Sequence, residues 1–218
     1  MELLQVSLLG GLLALDATSV GQFMASRPLV AGALTGLLLG EPAVGLSVGA
    51  ILELYLLVSF PTGGSRFPEG ATATVVAVAA AGSGAGGTLA LGVAVGLVWG
   101  QLAGVSITWL RHLNARLVPD PARGAASVSR VSAAHLAAVG LDYARGVLVT
   151  LAGVLVALPV VRALASAWPI PADDTHGLLL VGAAVSVGIL LGDLGGFRRH
   201  RGALAAGFVI ALLGAGFL

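Results

Sequence analysis

Four polar side chains lie in or beside apolar stretches of this sequence: Asp16, Gln22, Glu53 and Glu69. Glu53 is the deepest, because it sits within the apolar stretch 43–60. An ionisable group at membrane depth costs about 3 kcal/mol on insertion scales, so it usually faces a protein interior or a cavity and marks a functional site. The sequence therefore predicts a binding role for Glu53, with a structural ion pair to Arg27 or Arg66 as the alternative.

The chemistry of this set favours binding over bond-making. Carboxylates and amides exchange hydrogen bonds with vicinal hydroxyls, which is how an uncharged sugar is held in a mostly apolar cavity. No histidine lies mid-membrane to activate a nucleophile, and no metal-ligand spacing occurs in the sequence. We therefore predict a sugar-binding transport protein rather than an enzyme, with no metal and no cofactor.

Two other functions stay open. Asp16 and Asp193 could form the paired carboxylates of an aspartyl-type intramembrane hydrolase, which share a proton, although Leu190 replaces the first glycine of the usual G-x-G-D motif. An unrelated secondary transporter is the other alternative. The segment 82–87 fits G-x-G-x-x-G, but no strand precedes it and no ribose-binding acid follows, so we interpret it as a link between two membrane segments.

Composition indicates the class of protein that carries these residues. The chain is 57% hydrophobic and 10% charged, with a mean hydropathy of +1.02. These values are typical of an all-α, polytopic transmembrane helical protein, and we predict one integral-membrane domain over residues 1–218. The net charge of +1 gives no indication of nucleic-acid binding, and the absence of cysteine excludes disulfides and thiolate metal sites. The N-terminal stretch lacks a positively charged region, so we interpret it as mature structure.

The lengths of the apolar stretches predict irregular helices. The stretches 3–15, 28–40 and 71–81 are shorter than the ~20 residues that a span needs, which is typical of broken or re-entrant helices meeting at membrane depth. The segment 60–70 is rich in glycine and proline and predicts the tip of such a hairpin. The block 131–168 exceeds one span, so we predict an interfacial amphipathic helix over 132–143 followed by a single span over 146–167.

Glycines at a spacing of four residues predict close contacts between helices. They form two ladders, Gly32-Gly36-Gly40 and Gly92-Gly96-Gly100-Gly104. Gly45 and Gly49 share a helix face with Glu41 and Glu53. We predict oligomers with tight helix packing through the 92–104 ladder, although the sequence does not separate packing within a subunit from packing between subunits. Arginines are concentrated at 111–130 and 198–201, which places both segments in the cytoplasm by the positive-inside bias.

Motifs in the first third of the chain occur in a characteristic order and spacing. They are Arg27-Pro28, Gly40-Glu41, Gly45, Gly49, Leu52-Glu53-Leu54, Gly63 and Pro68-Glu69. Together they resemble the IIC (permease) subunit of the mannose/fructose/sorbose family of the bacterial sugar phosphotransferase system. A weaker similarity follows residue 140, in LDYARGVLVTLAG. The resemblance implies a multi-pass protein of the cell inner membrane.

The resemblance also implies partners and site residues. A IIC subunit moves its sugar inward beside a IID membrane subunit, while separate IIA and IIB components carry the phosphoryl group, and it contacts membrane lipid. Carried over to this sequence, Glu53 and Glu69 would contact the sugar, with Gln22 and Thr62 as further candidates. Glu69 replaces the family's usual aspartate, and the chain ends at Leu218, whereas family members often continue through another apolar segment.

Overall fold

Helices form almost all of the regular structure in the computed structural model, which describes residues 2–59, 65–82, 88–120, 127–169 and 175–215. Within these ranges the helices are α1 Glu2–Thr18, α2 Pro28–Leu39, α3 Pro42–Tyr55, α4 Gly70–Ala81, α5 Thr88–Ala115, α6 Val128–Leu164, α7 Thr175–Asp193 and α8 Phe197–Ala215. The described residues contain no strand. The predicted all-α fold class is confirmed.

Three consecutive short helices, α2 to α4, are followed by three longer ones, α5 to α7. The apolar stretches predict the short lengths of α2 and α4, but not that of α3. By length and composition, α5, α6 and α7 can each cross a membrane. In contrast, α2, α3 and α4 have 12, 14 and 12 residues and are too short to span alone. The first apolar stretch is longer than predicted, since α1 is a 17-residue helix that continues to Thr18.

Glycines bring α2 and α3 into backbone contact. Pro28 and Pro42 stand in the first turns of their helices, where the missing N–H costs nothing. A Cβ added to Gly36 would lie 2.9 Å from the Cα of Gly45, and one added to Gly49 would lie 2.6 Å from the Pro28 carbonyl oxygen. The face that carries Gly45 and Gly49 is therefore a helix contact, as predicted.

The glycine ladder of α5 also packs within the chain. A Cβ on Gly92 would lie 2.8 Å from the carbonyl oxygen of Ala77, and one on Gly96 would lie 2.8 Å from the Cβ of the same alanine. Gly100 meets Ala73 in the same way, 3.3 Å from its Cβ. The ladder therefore packs against the small residues of α4 within the subunit, and the predicted oligomer stays a prediction.

Helix α4 lies at the centre of the molecule. It is apolar on every side, as expected of a helix without a solvent-facing surface, and ten of its residues, from Ala71 to Ala81, are buried. It packs against α1, α2, α3, α5 and α6. Its N-terminal end, which begins at Gly70 after the N-cap Glu69, therefore opens into the interior of the protein.

Helix α6 differs from the prediction for the block 131–168. The structure has one continuous helix of 37 residues instead of an interfacial helix followed by a separate span. The predicted junction at 143–146 contains no proline, and α1 packs against α6 there, with the Cβ of Ala14 only 2.6 Å from a Cβ added to Gly146. The helix therefore continues through the predicted junction without a break, and its middle packs against the core.

Candidate functional site

A buried network of charges joins α4 and α6. The Arg145 side chain donates from Nη1 to Oε2 of Glu69 and from Nη2 to Oε1, both at 3.1 Å. Its Nε donates to Oδ1 of Asp142 at 3.0 Å, one helical turn away. Both carboxylates have no exposure to solvent. The pair formed by Arg145 and Glu69 is bidentate, which fixes the geometry of the guanidinium and the carboxylate relative to each other.

Four hydroxyl groups complete this charge network. Thr72 donates to Oε2 of Glu69 at 2.8 Å, and Arg145 Nη1 donates to Ser106 Oγ at 3.0 Å. The hydroxyls of Thr18 and Ser19 both donate to Oδ2 of Asp142. The network therefore ties the end of α1, the start of α4, the middle of α5 and the middle of α6 together at one depth.

One carboxylate of the network also lines a cavity of about 380 Å³, a size within the range of small-molecule sites. Its polar lining comes from Asp16, Gln22, Ser26, Arg27, Ser59 and Glu69, and its apolar lining includes Phe67 and Leu56. Glu69 receives three hydrogen bonds from described side chains. Its side chain has no exposure to solvent, so these bonds hold a buried carboxylate in a fixed orientation behind the cavity wall.

The segment between α1 and α2 forms one wall of this cavity. Gln22 and Met24 have positive φ angles of 54° and 66°, a conformation that costs about 1–3 kcal/mol for a residue other than glycine. The Asp16 carboxylate holds the segment in place, because it accepts from the backbone N–H of Phe23 at 2.7 Å and of Ser26 at 2.8 Å. Asp16 thus acts on the shape of the cavity as well as lining it.

Glu53 reaches the cavity only through its partner. Its Oε1 accepts from Nε of Arg27 at 2.7 Å and also from Nη2, and its Oε2 accepts from the Leu29 N–H at 3.2 Å. Arg27 lines the cavity, whereas Glu53 is not among the described residues that do. The geometry matches the ion-pair alternative and selects Arg27 as the partner; direct contact of Glu53 with a sugar stays a prediction.

The structure brings together three of the five residues predicted for the site. Asp16, Gln22 and Glu69 line one cavity, and Glu53 lies behind Arg27. Thr62 lies outside the described residues, as do residues 83–87 of the glycine motif that begins at Gly82.

Sequence reasoning missed Arg145 and Asp142, the partners of Glu69. Their spacing of three residues within an apolar helix was the available signal, since an unpaired arginine at that depth would be costly. The two aspartates of the hydrolase alternative belong to separate parts of the fold. Asp16 is on α1, which packs against α2, α4 and α6, and Asp193 is exposed at the end of α7, which packs against α3 and α8.

Described residues offer no cluster of three or more potential metal ligands. The arrangement instead provides a guanidinium, carboxylates and an amide around an apolar cavity. Such a set can hold hydroxyl groups by hydrogen bonds but contains no activated nucleophile.

Comparison with known proteins identifies the family. The model for the PTS system sorbose-specific IIC component, where PTS is the phosphotransferase system, matches residues 1–214. The chain is 27% identical over 170 residues to the PTS sorbose-specific EIIC component of Klebsiella pneumoniae, covering 76% of this chain and 62% of the relative. It is 29% identical over 191 residues to the fructose permease IIC component of Bacillus subtilis (strain 168), covering 86% and 70%. The chain thus spans less than two thirds of the length of the first relative.

Solved structures share the fold. One, described only as the structure of a membrane protein, has a TM-score of 0.72 at 20% identity and covers 99% of this chain and 90% of its own. The mannose transporter ManYZ in complex with microcin E492 has a TM-score of 0.63 at 22% identity, covering 97% and 86%. With the family model matching nearly the whole sequence, this chain is a multi-pass inner-membrane protein that belongs to the family of PTS sorbose-specific IIC components.

Proposed function

We propose that this protein is the membrane translocation subunit of a phosphoenolpyruvate-dependent sugar phosphotransferase system. It binds a sugar in the cavity lined by Asp16, Gln22, Arg27 and Glu69, and moves it inward beside a IID subunit. Phosphoryl transfer belongs to separate IIA and IIB components. Family membership supports the transport role, as does the mannose transporter among the proteins of similar fold.

The observation that carries this proposal is the polar lining of the cavity beside the buried end of α4. Arg27 and Gln22 supply donors, Gln22 and Ser59 supply acceptors, and Phe67 supplies an apolar wall. A hexose needs this combination, because its hydroxyls are both donors and acceptors while its C–H faces are apolar. Glu69 is buried behind this lining and oriented by Arg145, so a sugar hydroxyl that reaches it meets a carboxylate held in a fixed geometry.

A binding and uptake experiment tests the proposal. Purified protein is titrated with sorbose, fructose, mannose and glucose by calorimetry, and uptake of the sugar that binds is then measured in vesicles. We expect accumulation of the phosphorylated sugar only when IID, IIA, IIB and phosphoenolpyruvate are all supplied. Uptake that continues without phosphoenolpyruvate and stops when the proton gradient is dissipated would instead establish the secondary transporter.

A further inference from the structure

A second, larger concavity lies between α5 and α6, with a volume of about 1150 Å³. Its walls are apolar: Leu102, Val105 and Trp109 come from α5, and Leu148 comes from α6. All four side chains are at least half exposed, and Trp109 is 75% exposed. We call this feature the α5–α6 groove. A concave and mostly apolar surface on membrane-spanning helices is a place where an apolar chain can lie.

Basic side chains also line the α5–α6 groove. They are Arg66, His112 and Arg116, and all three are exposed. None of the salt bridges found among the described residues involves Arg66 or Arg116. The arginines are therefore available to an anion that enters the groove. Arg145 lines the groove as well, but its guanidinium is occupied by Glu69 and Asp142.

The dimensions of the α5–α6 groove match one leaflet of a membrane. Leu102 and Leu113 mark the ends of its apolar wall on α5, and at a rise of ~1.5 Å per residue they are about 16 Å apart. Half of a hydrocarbon core of ~30 Å is about 15 Å. Arg116 lies about one turn beyond Leu113, so a lipid whose acyl chain lies along this apolar wall would have its phosphate near Arg116.

We propose that the α5–α6 groove binds an anionic phospholipid, with an acyl chain along Trp109 and Leu148 and the phosphate between Arg66 and Arg116. Basic pockets between membrane helices hold anionic headgroups in this way, and arginine matches phosphate oxygens with paired donors. A zwitterionic lipid would place its own cation near the same arginines, so the charge pattern favours a lipid with net negative charge. The inference does not depend on which sugar is transported.

Trp109 supplies a probe for the experiment. The protein is reconstituted in phosphatidylcholine with a small fraction of phosphatidylglycerol that carries brominated chains, or with the same fraction of brominated phosphatidylcholine, and tryptophan quenching is compared. At the energy typical of one basic residue near a headgroup, each arginine contributes about fivefold, so we expect selectivity for phosphatidylglycerol on the order of 10-fold or more. Trp109→Phe should remove the selective part of the quenching.

A matched pair of variants decides the role of the cations. Arg66→Gln combined with Arg116→Gln should reduce the selectivity to nearly none, whereas Arg130→Gln, an exposed arginine on α6 that does not line the groove, should keep it. Equal quenching by the two lipids in the wild type would overturn the proposal. Selective quenching that persists in Trp109→Phe, or shielding of Trp109 only when a IID subunit is added, would overturn it in favour of another lipid site or a protein contact.

Discussion

The salt bridge between Arg27 and Glu53 bears on two possible roles of Glu53: contact with the sugar, or orientation of Arg27. In the structure the arginine faces the cavity and the glutamate orients it. Both side chains are only 19% exposed, so the cost of desolvating the two charges offsets much of the stability that their pairing adds. Its larger effect is expected on the position of the Arg27 donors, and hence on binding.

A double-mutant cycle on this pair tests the two roles. We expect Arg27→Gln to lower sugar affinity about 10-fold, since a hydrogen bond to a charged donor is lost. Glu53→Gln should have a similar effect, because it releases the arginine. The double variant should bind no more weakly than Arg27→Gln alone. If Glu53→Gln still lowers affinity when Arg27 is absent, then Glu53 contacts the sugar itself.

Gln22 allows a second test, because its side chain is neutral, exposed and lines the cavity. Gln22→Ala should lower sugar affinity about 3- to 10-fold, the value of one neutral hydrogen bond. Thermal stability should stay close to that of the wild type. Gln101→Ala is the matched control, since Gln101 is exposed on α5. Equal effects of the two substitutions on affinity would argue against the cavity as the sugar site.

Buried charge ties the helices together at the scale of the elements. Arg145 compensates two carboxylates, Glu69 and Asp142, that have no contact with solvent. A buried network of this kind adds little net stability compared with an apolar core, but removing one partner leaves the others uncompensated. The network therefore specifies the position at which α4 and α6 pack together, and it contributes little net free energy to that packing.

Removing the arginine should therefore be severe. We expect Arg145→Met to lower the free energy of unfolding by about 3–5 kcal/mol, because two buried carboxylates lose their cation. Adding Glu69→Gln and Asp142→Asn to the same chain should restore much of that loss. Thermal unfolding in detergent measures both effects, with Arg130→Met as the control on the same helix. An Arg145→Met protein that melts with the wild type would show that the network is not formed.

Close helix packing gives a second prediction at this scale. Gly96→Leu inserts a side chain against Ala77, whose Cβ lies 2.8 Å from an added Cβ. We expect it to lower the melting temperature of the protein and its yield, with overpacking costing about 1–3 kcal/mol. Gly188→Leu on α7 is the control, because an added Cβ there has no atom within 4 Å among those described. If Gly96→Leu changes only the oligomeric state, the ladder acts between subunits after all.

The sequence was informative where a local pattern decides the structure. The short length of α2 follows from charges and prolines at both of its ends, and α4 starts after Pro68-Glu69 and ends at Gly82. The contact between Gly45 and α2 follows from small residues at a helical period. Tertiary pairing has no such local signal. Glu69 and Arg145 are 76 positions apart, so only the packing of α4 against α6 makes them partners. The continuity of α6 was missed because the block 131–168 was divided at the length of one membrane span. That length is set by the thickness of the bilayer and does not limit how far a helix continues outside it.

The length of α6 has a consequence for the whole molecule. A helix of 37 residues extends over about 55 Å at ~1.5 Å per residue, which exceeds a hydrocarbon core of ~30 Å. Residues 127–138 are almost all exposed and lie next to the arginine-rich segment 111–130. The start of α6 should therefore project from the membrane on the cytoplasmic side.

Cysteine labelling tests this orientation without any background, because the chain contains no cysteine. We expect Ser129→Cys, near the start of α6, to react with a membrane-impermeant maleimide in inside-out vesicles and to be protected in right-side-out vesicles. His176→Cys, at the start of α7, should show the opposite pattern, since one crossing by α6 separates the two positions. Val154→Cys is the unreactive control, because Val154 is buried in the core and a cysteine there should react from neither side. The neighbouring Gly153 is unsuitable, because an added Cβ there would lie 2.5 Å from a side-chain carbon of Val76. Labelling of Ser129→Cys and His176→Cys from the same side would show that α6 does not cross, and would return the N-terminal half of α6 to the membrane surface.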